Sequence, residues 1–465
     1  MARTAVALSR VKIAAGVVLV AALLTPTTGA AVSAAPQAPA VGGGAVEAGA
    51  NAVVRWNQTA AAAALATNLA PTLNPLHESR MYAMMHIAVH DALNAISARS
   101  RPYAFQGRAP HASPDAAVAA AARTTLVAAL TDLTPPFTDT AGAVAGVEAA
   151  YSAALAAVPD SSAKLDGIAL GKKSAYTILA QRADDGASTA PLIVADFVEG
   201  TGPGEYRFTP GTPFAFAPTW GDVKPFALTS AAQFPVEPPY PLGLKRYAAD
   251  FAEVKRLGGD GVTTPSARTA DETVMARFWV ESSPLLWNRL ARQLATDRHL
   301  DLWQSARLFG LLDIALTDGY IATFDLKYKL LFWRPVTAIQ LAATDGNPNT
   351  TADPTWTPLV PTPPIPDHDS GHSVEGGAAT AVLRGFFKTD RMNFSLCSFT
   401  LLPGSTCTDA SPVIRHFTSF SQAADENARS RVMVGFHFSH ATTEGTAHGL
   451  KIGRLTVGNY LQPRG

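Results

Sequence analysis

From Val53 onward, apolar residues recur at three- and four-residue spacing, and Ala and Leu fill most of the repeating positions. That period turns one face of each segment toward a core, which predicts helices rather than strands. The pattern delimits helices at about 53–66, 76–97, 115–132, 140–157, 162–183, 268–295, 299–328, 371–387, 422–438 and 444–460. Few stretches alternate with the period of two that a half-buried strand shows, so the expected class is all-α. Two stretches interrupt the helical rhythm. Residues 185–265 are rich in Pro, Gly and aromatics, as in Phe214-Ala-Phe-Ala-Pro218-Thr-Trp220-Gly221. An excursion this long is either a functional element, such as a wall or lid over a site, or a surface wrap that only packs. The second stretch, 347–369, runs directly into Ser370-Gly371-His372.

Composition narrows the possibilities. The chain has 465 residues, enough for a large buried core, and 47% of them are hydrophobic against 16% charged, which suits buried helices and not a disordered chain. Lys+Arg and Asp+Glu both number 37, so the net charge is zero. This gives no argument for nucleic acid or an anionic membrane as a partner, and any anion site has to be a local concentration of charge.

The N-terminus reads as an export signal. Arg3, Arg10 and Lys12 form a basic start, residues 13–24 a short apolar run, and Val32-Ser33-Ala34 a small-residue cleavage site. The run falls short of the ~20 residues that a membrane span needs. The expected organisation is a signal peptide over 1–34, a flexible Pro/Gly/Ala lead-in over 35–52, and one helical domain over 53–465 that contains the 185–265 excursion. The product is expected to be secreted, without stable membrane association after cleavage. Cys397 and Cys407 are the only cysteines; in an exported chain such a close pair predicts a disulfide closing a small loop.

The candidate chemistry lies in three short stretches. In the first, Lys327 and Arg334 stand seven positions apart, which on one helix places both on the same side, and Pro335 ends helical geometry near Arg334. An Arg fork grips an oxoanion bidentately and Lys adds a point charge. Both are embedded in apolar sequence (Leu330-Leu331-Phe332-Trp333), where burial without an anion is costly. In the second, Ser370 is a natural N-cap, and Gly371 and His372 open the helix behind it. Amides of a first helical turn lack internal partners and attract an anion, Gly371 permits close approach, and His372 stands within reach to move a proton. In the third, Arg431 and His437 stand six apart, about 120° round a straight helix, so helix geometry alone does not make them converge; Gly435 lies between them.

The order and spacing of these stretches resemble the haloperoxidase / type-2 phosphatidic acid phosphatase superfamily, and in particular the bacterial vanadium-dependent haloperoxidases. The likeness extends to Val54-Arg-Trp56-Asn57, Arg80 through His86, Asp91-Ala-Leu-Asn94, Pro218-Thr-Trp220-Gly221, Phe278-Trp279, Trp287-Asn288 and Glu444-Gly445. It implies two four-helix bundles with a pocket at one end of a bundle. It also implies vanadate as cofactor, held by Lys327, Arg334 and Arg431 and hydrogen-bonded by Ser370 and Gly371. His437 is implied as the vanadium ligand and His372 as the acid/base. Hydrogen peroxide, halide and a small organic acceptor are the implied partners. The alternative is an acid phosphatase at the same site, with a phosphohistidine at His437 and His372 protonating the leaving group.

This chain departs from the family at Asp369, where Pro is usual before Ser-Gly-His. A carboxylate there either weakens oxyanion binding, favours the helix N-terminus, or pairs with a site cation. Ile365, seven before His372, carries no information about halide preference. Asp318 is a candidate brace for a site arginine or simply a helix-surface residue. A divalent-metal enzyme built on His437, His440, Glu444 and His448, or on His86 and His90, is one rival. A non-catalytic helical binding protein with a degenerate pocket is the other.

Overall fold

Side-chain caps set where most helices begin. In the computed structural model, which describes residues 50–70, 72–133 and 139–464, Asn51 accepts from the Val53 and Val54 amides and starts α1 (Ala52–Ala66). Asn74 with Pro75 starts α2 (Pro75–Ile96), Ser113 with Pro114 starts α3 (Pro114–Thr131), and Asp139 and Ser161 start α4 (Thr140–Ala156) and α5 (Ser162–Gln181). Next come α6 (Lys245–Leu257), α7 (Ala270–Phe278), α8 (Ser283–Asp297) and α9 (Leu302–Leu330). Capping boxes Thr269/Glu272 and Asp301/Gln304 open α7 and α9. The remaining helices are α10 (Pro335–Gln340), α11 (Gly371–Phe387), α12 (Phe420–Met433) and α13 (Ser439–Asn459).

Strand is confined, among the described residues, to two antiparallel pairs. β1 (Ile193–Val194) pairs with β2 (Ala215–Phe216), and β3 (Arg391–Leu396) pairs with β4 (Arg415–Ser419) with Phe394 opposite Phe417. The class is all-α, as the periodicity predicts. Helices α2 to α5 pack on one another, and α9 crosses from α2 on one side to α11 and α13 on the other. Its face is buried for nearly its whole length, from Ser305 to Lys327. Helices α9, α11, α12 and α13 form the second packed group. There α11 and α13 approach so closely that a Cβ on Gly449 would collide with the Val374 carbonyl.

Several boundaries differ from expectation. The lead-in expected to run to residue 52 ends earlier, because Asn51 is already a cap and Ala50 is buried; residues 1–34, with the expected signal peptide, lie outside the described residues. The single helix expected at 268–295 is two, broken at 279–282 ahead of Pro284. The 185–265 excursion contains α6, whose Tyr247, Ala248, Phe251 and Val254 form a buried helical stripe. That excursion lies against the motif-bearing loops: the Tyr206 amide donates to Leu331 O at 2.7 Å, the Trp333 amide to Gly204 O at 3.0 Å, and Glu237 O meets His368 Nε2 at 2.7 Å. The expected disulfide between Cys397 and Cys407 is formed. Among the described residues no helix is long and apolar enough to cross a membrane.

Candidate active site

Lys327 occupies the last turn of α9 and is fully buried; its Nζ donates to Pro366 O at 2.9 Å and Asp367 O at 2.8 Å. The helix stops at Leu330 because Leu331 adopts the left-handed region (φ 49°). Arg334 therefore does not share a helix face with Lys327. It is extended (φ −79°, ψ 156°), as a residue before proline is, and caps α10. Its Nε donates to Ile365 O at 2.6 Å and its Nη1 to Phe436 O at 2.9 Å, and Nη1 lies 2.9 Å from His437 Nε2.

The convergence of Arg431 and His437, which helix geometry does not supply, comes from a chain reversal. Helix α12 ends at Met433, Gly435 takes φ 87°, and the Phe436 and His437 amides both return to Arg431 O, at 3.0 and 3.3 Å. His437 is thereby folded back onto the arginine's own turn. Arg431 is buried, with Nη1 donating to Trp279 O at 2.6 Å and the Phe436 ring 5.0 Å from Cζ.

Ser370 stands at the N-cap of α11, but its side chain makes no capping bond, contrary to expectation; its Oγ is buried without a partner, as is Arg431 Nε. A Cβ on Gly371 would meet only a Thr323 methyl, at 3.8 Å, so neighbouring protein does not demand a glycine there. His372 keeps part of its surface accessible, and its Nε2 lies 3.2 Å from Glu281 O.

Charge ties these groups into one cluster. Burial, then Arg334, Lys327, Arg431 and His372, holds the His437 imidazole well below its usual range. Burial, then Arg431, with Lys327 adding, does the same to His372, so both rings are neutral. Burial and then Arg334 push the Lys327 ammonium down, and burial with Arg334 brings Arg431 down to about 9. Arg334 thus destabilises the charged forms of both Lys327 and Arg431, and a guest anion among them would offset that repulsion. The structure accordingly brings together Lys327, Arg334, His372, Arg431 and His437, with the unpartnered Ser370 hydroxyl at the head of α11.

Asp367 is the residue that sequence reasoning missed. Its Oδ1 lies 2.9 Å from His437 Nδ1 and 4.0 Å from Arg334 Nη1, although neither carboxylate oxygen has an aligned donor. Burial raises it to about 7, against the pull of Arg334 and Lys327. The only local signal for it is the run Asp367-His368-Asp369, which does not tell which carboxylate faces the cations. Asp369 gives its hydrogen bonds to other partners, while its charge still favours the Lys327 ammonium. It accepts from Thr323 Oγ1 and pairs with His448 Nδ1 at 2.9 Å. Burial pushes its carboxyl up, but His448, His368 and Thr323 outweigh this and hold it at about 2. Asp318 braces no site arginine; it accepts the Phe226, Ala227 and Leu228 amides at 2.6, 2.6 and 2.8 Å.

The histidine row does not converge on a metal. His440 Nε2 faces Pro238 O at 3.0 Å, His448 faces Asp369, His86 pairs with Asp313, and His90 pairs with Asp91. Among the described residues no group of three or more His, Cys, Asp or Glu side chains is placed to hold a metal ion.

Residues 307–463 match the family described as VCPO second helical-bundle domain. The chain is 26% identical over 282 residues to the vanadium chloroperoxidase of Curvularia inaequalis, a match covering 48% of this chain and 45% of that protein. It therefore spans less than half the length of that curated relative. In fold it is similar to a bacterial vanadium-dependent iodoperoxidase, with TM-score 0.72 and 23% identity over 89% of this chain and 98% of the other. An apo-type bacterial vanadium-dependent chloroperoxidase aligns with TM-score 0.65 and 15% identity over 86% and 97%.

Proposed function

We propose that this chain, which resembles the vanadium-dependent haloperoxidases in sequence and in fold, is an exported haloperoxidase. On this reading it carries vanadate and uses hydrogen peroxide to oxidise halide, and the product halogenates a small organic acceptor. One observation carries the reading. Three basic side chains are buried around His372 and His437, and two donors among them, Ser370 Oγ and Arg431 Nε, have no protein partner. Burying donors without acceptors is costly unless a guest supplies the acceptors.

The residues divide the work by charge and by proton position. Lys327, Arg334 and Arg431 offset the charge of the oxyanion, and Ser370 Oγ with the Gly371 amide donates to its oxygens. The Arg334 Nη1 donor 2.9 Å from His437 Nε2 keeps the proton on Nδ1, the nitrogen nearest Asp367, and leaves the Nε2 lone pair to act as ligand. His372 donates from Nε2 to Glu281 O, which leaves Nδ1 as the basic atom that takes a proton from peroxide and returns it to the departing oxygen. Bound vanadate would supply a Lewis acid that polarises peroxide for attack by halide. Arg334 Nη1, 2.9 Å from His437 Nε2, blocks that nitrogen in the absence of a guest and has to swing toward the oxyanion when one binds. The 1–34 segment is read as the export signal.

A neutral His437 backed by Asp367 also suits attack on phosphorus, which is what makes a phosphatase the second reading. The test is protein incubated with orthovanadate, assayed for bound vanadium, for bromide-dependent bromination of monochlorodimedone, and for hydrolysis of p-nitrophenyl phosphate. The haloperoxidase reading expects vanadium and bromination, both lost in His437→Ala. Phosphate ester hydrolysis without bromination would replace it with the phosphatase.

A further inference from the structure

The segment between α7 and α8 receives two pocket side chains on its backbone carbonyls: Arg431 Nη1 reaches Trp279 O at 2.6 Å, and His372 Nε2 reaches Glu281 O at 3.2 Å. Carbonyls at a helix C-terminus have no donor within their own helix. Here the donors come from a different place, the loop that Cys397 and Cys407 close. Thr400 Oγ1 donates to Arg277 O at 2.7 Å, Ser398 Oγ to Phe278 O at 2.8 Å, and the Phe399 amide to Glu281 Oε2 at 3.0 Å. Arg289 fastens the same corner: its Nη2 reaches Glu281 Oε2 and the Cys397 carbonyl, each at 2.8 Å, and its guanidinium lies 5.2 Å from the centre of the Phe399 ring. The loop is tied to itself by the Cys407 amide on Ser398 O at 3.0 Å, beside the disulfide.

We propose that the disulfide-closed loop 397–407 is a positioning element for the oxyanion pocket. It grips residues 277–281 from outside, and that segment in turn fixes where the Arg431 guanidinium and the His372 imidazole stand. Thr400, Ser398 and Glu281 are positioning residues; none touches the guest. The disulfide keeps an eleven-residue loop, which otherwise has many conformations, in the one arrangement that presents two hydroxyls and an amide to that segment. Opening it releases the outer grip while α9, α11, α12 and α13 keep their mutual packing.

The proposal rests on the oxyanion reading of the pocket, so the test separates the two. Phosphate affinity by calorimetry and the His372 imidazole resonances by NMR are measured on the full chain and on three variants. These are Thr400→Val, Thr400→Ser and the double variant Cys397→Ser/Cys407→Ser. Thr400→Val should weaken phosphate binding about threefold and shift the His372 signals. Thr400→Ser, which keeps the hydroxyl, should restore both, a rescue that a general packing defect would not show. The double cysteine variant should lose about tenfold in affinity. His372 signals unchanged in both Thr400→Val and the double variant would overturn the positioning role, whatever the chain does with phosphate. His372 signals that respond while the wild-type chain binds no phosphate would sink the pocket reading and leave the positioning role standing.

Discussion

Replacing Arg431 with Met should make the empty protein more stable and the pocket useless. Arg431 is buried, and its guanidinium is driven more than three decades below its ordinary value, to about 9, by burial and by Arg334. It remains charged at neutral pH, so folding bears the difference, about 5 kcal/mol at roughly 1.4 kcal/mol per decade. Methionine fills a similar unbranched volume without that charge. Against the gain stands the Trp279 carbonyl, which loses its 2.6 Å donor at a cost of about 1–3 kcal/mol. The net expectation is a gain of about 2–4 kcal/mol in the absence of any oxyanion, in the range seen when buried charges are replaced by apolar groups. Phosphate at a hundredfold excess over its dissociation constant should stabilise the wild-type chain by about 2.7 kcal/mol. Arg431→Met should show almost none of that. Denaturant unfolding at neutral pH, with and without phosphate, reads both numbers. A variant that unfolds earlier than wild type and still gains stability from phosphate would refute the reasoning, because Arg431 would then be neither strained nor part of the cradle.

Three further outcomes follow from the same geometry. Asp367→Asn removes a carboxylate beside the cations and should tighten sulfate binding by up to about tenfold at pH 8, one decade above the value of about 7 at which burial holds that carboxyl; calorimetry showing weaker binding would contradict this. Gly435→Ala forces a side chain into φ 87° and against Gly258 O at 2.7 Å and Pro358 Cβ at 2.8 Å. It should lose at least about 1–2 kcal/mol in chemical unfolding, with bromination falling because His437 no longer folds back. Burial raises the Glu78 carboxyl to about 8 despite the Ser282 hydroxyl beside it. The folded state therefore holds a proton that the unfolded chain releases near pH 4.5, and stability falls as pH rises from about 4.5 to about 8. Glu78→Gln should flatten that decline, which unfolding at pH 5, 7 and 9 will show.

Helices were legible wherever period and caps agreed. Residues 75–96 carry Asn74 and Pro75 at one end and an unbroken apolar stripe, and both boundaries fall within a residue of expectation. α6 was hidden by its setting. Its stripe of Tyr247, Phe251 and Val254 is plain, but flanking Pro and Gly made the stretch read as loop. The α7–α8 break is signalled locally by Pro284 in the first turn of α8, within a period that otherwise runs on unbroken. At the site, the residue types were legible because cations embedded in apolar sequence need an anion; their geometry was not. Leu331 turns left-handed with no glycine to announce it, so the Lys327–Arg334 spacing misled. Gly435 did announce the reversal that folds His437 back. The union of Asp369 with His448, 79 positions apart, has no local signal at all.

That last union has a consequence for protein engineering. The Asp369 carboxylate is shared between Thr323 on α9 and His448 on α13, and all three side chains are buried. Replacing Asp369 with proline would strand an imidazole and a hydroxyl in the interior in one step. A transplanted Ser-Gly-His loop has to bring compatible residues at 323 and 448 with it. Swaps between members of this fold should therefore be designed as three-position cassettes, and single exchanges at 369 are expected to yield poorly folded protein even where the loop itself fits.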